Sequence, residues 1–219
     1  MKMVLLKETK MITKLYRFIF SISLIASLAT LPPTALRAQD NDRVSPNVMR
    51  AINDNTGAPA FGNGVTIVEF YDYQCGYCKA SEEGLERLLK EDKYIRIVYM
   101  DFPKLGPLSL TTAKATLAAY RQGGYKYLWM HDILMNKDVH VSEPIIAQAA
   151  QQARIDVNQM GHDMTDDNIA KQIDYNIALG RAAGVTVTPS FIIGGHFVSG
   201  YLDYDQLKQM VSYARANRN

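Results

Sequence analysis

Cysteine is scarce in this chain of 219 residues: there are two, Cys75 and Cys78, and both fall in the stretch "EFYDYQCGYCKASEEGL". So few exclude a fold stapled by several disulfides. Histidine is scarce as well, and His131, His140, His162 and His196 have no close metal-ligand spacing with one another or with the cysteines, so no zinc site is expected. There is one tryptophan, no internal repeat and no low-complexity tract. Beyond the N-terminus no Lys/Arg run points to nucleic acid or to an anionic membrane surface. The apolar stretch "FIFSISLIASLATL", Phe18 to Leu31, is too short to span a bilayer comfortably.

That stretch follows Lys2, Lys7, Lys10, Lys14 and Arg17 and precedes the small residues Ala35 and Ala38, which reads as a signal peptide over 1–38. An uncleaved N-terminal anchor is the alternative, and either way the body is exported. Cutting after Ala38 leaves 18 Lys and Arg against 21 Asp and Glu, a net charge near −3, so the basic balance of the whole chain belongs to its leader. What remains fits one domain able to bury its own core. Residues 39–63 are rich in Asn, Asp, Gly and Pro and read as a short, mostly irregular stem. Within it Ser45 and Pro46 can start a helix with Val48, Met49 and Ile52 on one face, either docked on the domain or paired with another subunit.

A purely structural bridge is a poor account of the two cysteines. A loop of four residues gains roughly 2 kcal/mol from closure, against about 3 for a 15-residue loop. Their flanks say more. "VTIVEFY", Val65 to Tyr71, reads as a buried strand, and Leu85, Leu88 and Leu89 recur at helical spacing among Glu82, Glu83, Glu86, Arg87 and Lys90. Cys75 thus falls where a strand ends and a helix begins, close to unpaired N–H groups and the positive end of the helix dipole. A thiol of ordinary pKa is only about 3% ionised at neutral pH, and the dipole alone does not change that, so backbone amides and the Cys78 thiol must add hydrogen bonds. Glu69 interrupts the apolar strand. Buried on both faces it would be protonated and could exchange a proton with Cys78; at a solvated strand edge it would do neither.

Downstream, "IRIVYMDF" reads as a second strand, ended by Pro103, Gly106 and Pro107. Four helical stretches are expected next: "LSLTTAKATLAAYRQ", "YKYLWMHDILMN", "SEPIIAQAAQQAR" capped by Ser142, and one from about Asp166 to Ala183 stopped by Gly184. Tyr125, Tyr127 and Trp129 are expected to pack inside this block. "SFIIGG" and "HFVSG" form a hairpin, and "DYDQLKQMVSYAR" a closing helix.

"VTIVEFYDYQCGYCK", "MDFPKLGPLSLTTAKATLAAY" and "VTVTPSFIIGGHFVSGY" together resemble the DsbA-like thioredoxin-fold oxidoreductases of bacterial envelopes, in particular the ScsC-type group. The resemblance runs from about Gly64 to Tyr213. It implies an α/β thioredoxin fold over 64–219, with an inserted helical domain at about 107–165 between the second strand and the C-terminal part. It implies Cys75 and Cys78 as the redox pair with Gly76 and Tyr77 between them, Glu69 as a proton-transfer group, and a cis-proline loop in which Thr188 and Pro189 position the substrate. No cofactor or metal is expected. The implied partners are thiols or disulfides of envelope proteins in the periplasm, and either a membrane quinone-linked oxidant or a membrane thiol reductant. Some relatives oligomerise through longer stems; this stem is short, which favours a monomer over a small homo-oligomer. The dipeptide Gly76-Tyr77 lacks the imidazole of the strongest oxidases, and both an oxidase and an isomerase or reductase remain open. Capture of a cuprous ion by two soft thiolates is the alternative from another class.

Overall fold

The computed structural model describes residues 42–217. The expected signal peptide and its cleavage point lie outside these residues. No helix among the described residues is long and apolar enough to cross a membrane.

The described chain opens with helix α1 (Pro46–Asn53) and a three-residue strand β1 (Ala60–Gly62). Next come β2 (Val65–Tyr71), α2 (Gly76–Glu91) and β3 (Ile95–Asp101). Five helices follow: α3 (Pro107–Arg121), α4 (Gly124–Met135), α5 (Glu143–Gln152), α6 (Val157–Asp163) and α7 (Asp167–Ala183). Strands β4 (Ser190–Ile193) and β5 (His196–Ser199) and helix α8 (Tyr204–Ala216) complete the thioredoxin-type α/β architecture. The sheet runs β1-β3-β2-β4-β5, with β2 and β3 parallel and the other pairs antiparallel.

Strand β2 is central and both its faces are covered, as its nearly unbroken apolar run requires. Alternation along the strands sorts the core into two layers. Ile67, Tyr71, Ile97, Tyr99 and Phe191 point toward α2, α8 and the inserted helices. Val68, Phe70, Val98, Met100 and Ile192 point the other way, toward α1 and the end of α7.

Two elements differ from the sequence expectation. The inserted block holds a fifth helix, α6, whose seven residues include a glycine and carry too few apolar positions for a helical period to register. It begins because Asp156 caps it, accepting from the amides of Asn158 and Gln159 at 3.0 Å each. The stem is also less irregular than its composition suggests. Ala60–Gly62 pairs with the edge of β3, too short a strand to show alternation, and α1 docks Ile52, fully buried, with Val48 and Met49 onto the second core layer. In the inserted block Tyr127 packs as expected, whereas Tyr125 (90% exposed) and Trp129 (49%) turn outward.

Candidate active site

Strand β2 delivers the chain to a tight loop over Asp72 to Gln74. The buried Asp72 carboxylate builds that loop. One oxygen accepts from the amide of Gln74 (2.9 Å), and the other from the amides of Lys104 (2.8 Å) and Leu105 (3.0 Å), which lie just after β3. The Cys75 amide in turn donates to the Asp72 carbonyl at 2.9 Å.

Cys75 is the N-cap of α2, with extended φ/ψ of −83° and 111°. Its sulfur takes the place of a capping oxygen, accepting from the Cys78 amide at 3.2 Å. Cys75 keeps 6% exposure and Cys78 none. The Cys78 thiol is the main reason the Cys75 pKa falls to about 6: it donates to the Cys75 sulfur. Burial opposes that fall, and the Thr188 side chain and the amides of Cys78 and Tyr77 add to it. The same contact and the same burial drive the Cys78 thiol strongly upward, with burial the larger cause and the charges of Glu69 and Cys75 adding to it. One sulfur of the pair is held ionised and the other protonated.

From across the sequence, the half-buried Thr188 and buried Pro189 close over Cys75, joined by a cis peptide bond. Thr188 meets the sulfur with two groups that pull in opposite directions. Its carbonyl oxygen, 3.3 Å from Sγ, accepts the hydrogen of the neutral thiol, whereas its side chain favours the thiolate. Both the main chain and the side chain of Thr188 thus act on the sulfur. Gly76 is open, since a Cβ there would meet nothing within 4 Å. Tyr77 is 71% exposed and its ring lies 6.5 Å from that of Tyr201.

Glu69 stands in the central strand opposite Tyr99 on one side and Phe191 on the other. It is fully buried and neither carboxyl oxygen has a hydrogen-bond partner. Burial first, then the charges of Glu82 and Cys75, push its pKa well up. Among the described residues no group of three or more His, Cys, Asp or Glu is placed to hold a metal.

A thioredoxin family model matches residues 58–212. The chain belongs to the thioredoxin family. Solved structures similar to it include a thioredoxin-like oxidoreductase from Silicibacter pomeroyi DSS-3, 33% identical over 77% of this chain and 98% of that one, with a TM-score of 0.72. The thiol-disulfide exchange protein alpha-DsbA2 of Wolbachia pipientis is 30% identical over 76% and 91% of the two chains, with a TM-score of 0.70. The catalytic domain of Proteus mirabilis ScsC is 26% identical over 78% and 96%, with a TM-score of 0.70. The chain thus has the DsbA-like thioredoxin fold of these structures. It spans only about a quarter of the length of the first curated relatives it matches, which are Na(+)/H(+) antiporters NhaA of Salinispora; one is 26% identical over 156 residues, 70% of this chain and 24% of the relative.

Sequence reasoning passed over a buried polar layer beneath the cysteines. Tyr71 Oη donates to Asp101 Oδ1 at 3.0 Å and lies 3.2 Å from the hydroxyls of Tyr73 and Tyr127. Tyr73 Oη is 2.8 Å from His131 Nδ1, and Tyr99 Oη donates to Glu82 Oε1 at 3.1 Å. Burial raises the Asp101 pKa to about 7. The signal was present in the odd positions of the two strands, where Glu69, Tyr71, Tyr99 and Asp101 share one face.

Proposed function

We propose that this chain is an exported thiol:disulfide oxidoreductase that passes the Cys75–Cys78 disulfide to thiols of envelope proteins in the periplasm. One observation carries the reading: the Cys75 sulfur caps α2 and is held as a thiolate with its pKa lowered to about 6, chiefly by the Cys78 thiol. A stabilised thiolate makes the dithiol form the better product, and so favours giving the disulfide away.

In the forward step a substrate thiolate attacks Cys75 Sγ. The Cys75–Cys78 bond breaks, a bond between substrate and Cys75 forms, and the Cys78 sulfur leaves with the electron pair and takes a proton from Glu69. A second substrate thiolate then attacks the substrate sulfur, and Cys75 departs as the thiolate that α2 and Cys78 hold. The substrate has lost two electrons and the protein has gained two. Thr188 and Pro189 align the extended substrate across the sulfur as an added strand. A membrane quinone-linked oxidant would restore the disulfide. Capture of a cuprous ion by the two sulfurs is the alternative reading.

The test is to ask for disulfide transfer to a reduced dithiol peptide and, in cells, to read the resting state of Cys75 and Cys78 by alkylation. Transfer and a mostly oxidised pair are expected. A resting dithiol that reduces or reshuffles wrong disulfides would instead assign an isomerase or reductase, and tight cuprous binding without any exchange would overturn the enzymatic reading.

A further inference from the structure

Close to Cys75 the chain carries a cation that none of its described acids pairs. Lys104 sits in the loop between β3 and α3, and its ammonium reaches across the sequence to the loop before β4, where it donates to the Thr186 carbonyl. Thr186 stands two residues before Thr188, whose carbonyl oxygen lies 3.3 Å from Cys75 Sγ. We propose that Lys104 is a specificity-determining residue, whose ammonium selects substrates with an acidic side chain about two residues from the reacting cysteine. The inference rests on the exchange reaction proposed above and names the kind of segment that the site takes.

Two anchors hold that charge in place. At the main chain, the Lys104 amide donates at 2.8 Å to the Asp72 carboxylate, the same group that fixes the loop before Cys75. At its tip, the ammonium meets a loop in which four successive carbonyls are engaged. Lys104 takes that of Thr186, the Ser190 hydroxyl that of Val187 at 2.8 Å, the Cys75 sulfur that of Thr188, and the Gly200 amide that of Pro189 at 2.9 Å. An ammonium tethered at both ends of its side chain has already lost much of the freedom that a surface lysine gives up on binding. It is organised in advance for a partner.

The charge is also available. Lys104 is exposed, and among the described residues it forms no ion pair. The Asp72 carboxylate is buried, and its oxygens are taken by the amides of Gln74, Lys104 and Leu105. The Thr186 carbonyl uses one of three ammonium hydrogens, which leaves two for a ligand. The first turn of α2 adds no acidic side chain to oppose a negative one. Leu105 and Val187, which follow the two bonded residues in sequence, are 53% and 43% exposed. An ammonium in the company of two exposed apolar side chains suits an extended segment that mixes acidic and apolar residues, and disfavours a basic one.

Spacing sets the preferred position of the acid. A strand added along this loop advances by the same step as the loop itself, so the residue opposite Thr186 is two positions from the residue opposite Thr188. With the substrate sulfur at Cys75, that residue is the one brought to Lys104. Lys104 does not touch the sulfurs, and the atoms exchanged are those of the reaction already given.

The test compares two reduced dithiol peptides that differ only in Glu or Gln two residues to either side of the first cysteine. The quantity read is the ratio of their kcat/KM values with the oxidised, mature protein. At low salt the wild type should prefer the Glu peptide by about two- to fivefold, the span of an exposed ion pair, and the ratio should approach one in about 1 M salt. Lys104→Gln keeps a donor for Thr186 without the charge and should bring the ratio to about one at low salt. Lys104→Arg should preserve the preference, and Lys104→Glu should reverse it. A wild type without the preference, or a glutamine variant that retains it, overturns the selection; so does a variant that slows both peptides alike and leaves the ratio where it was, as a merely structural role would. If the wild type exchanges with neither peptide, the proposed function falls and the selection with it, whereas exchange without preference removes the selection alone.

Discussion

At Cys75 the bond from the Cys78 thiol does more to hold the sulfur ionised than the helix amides or Thr188 do. Thiolate ultraviolet absorbance should therefore titrate near 6 in the wild type and rise most in Cys78→Ala. Losing one charge-assisted hydrogen bond, about 1.5–3 kcal/mol, corresponds to roughly one to two pH units. Thr188→Val should move the midpoint less, because the main-chain contact of Thr188 survives it. The sign for stability follows by linkage. The folded pKa of Cys75 is depressed, so its ionisation stabilises the reduced fold fully above the ordinary thiol range, and that contribution is lost as pH falls through about 6. The oxidised protein has no such thiol. Its urea midpoint, measured beside that of the reduced form, should lose ground steadily as pH rises from about 6 to 9. Glu69 has the opposite sign. Its folded pKa is raised, chiefly by burial, so its contribution is favourable below the ordinary carboxyl range and is lost as pH rises through the folded value. Glu69→Gln should accordingly resist urea better than wild type above the ordinary carboxyl range, by a margin that grows with pH; a margin that stays constant there would mean that folding does not raise the carboxyl pKa.

Between elements, α2 and the start of α8 approach each other closely. A Cβ added at Gly84 would stand 2.9 Å from the Tyr204 amide nitrogen and 3.2 Å from its Cα, atoms of the main chain that cannot swing aside. Gly84→Ala should cost about 1–3 kcal/mol of stability despite the better helix propensity of alanine, read as a lower thermal midpoint. The elements most readily read from the sequence were those with a clear period or clear punctuation. Strand β2, helix α2 and the hairpin after Pro189 carried both, and the redox pair came with them. Legibility failed where tertiary packing decides. Three residues at Ala60–Gly62 become a strand only because the β3 edge is there to pair with, and α6 exists because Asp156 caps it. The polar layer escaped for another reason: hydroxyls and carboxyls 30 to 60 residues apart meet only after β2, β3 and α4 have docked.

For the molecule as a whole, the placement of α1 bears on assembly. Its apolar side is already committed to the domain through Ile52 and the partly buried Val48 and Met49. Deleting residues 39–55 should therefore lower the unfolding midpoint without changing the mass seen by light scattering, which is expected to be that of a monomer. Ile52→Ala alone should cost about 2–5 kcal/mol. A deletion that converts an oligomer into monomers would show that the stem reaches another subunit. The Asp72 carboxylate has a further consequence. It anchors the amide of Gln74, next to the redox cysteine, and those of Lys104 and Leu105, at the entrance to the inserted helices. Three amide hydrogens from loops some 30 residues apart are thus locked by a single side chain. In hydrogen–deuterium exchange they should open as one event with a common rate, and Asp72→Ala should release all three together.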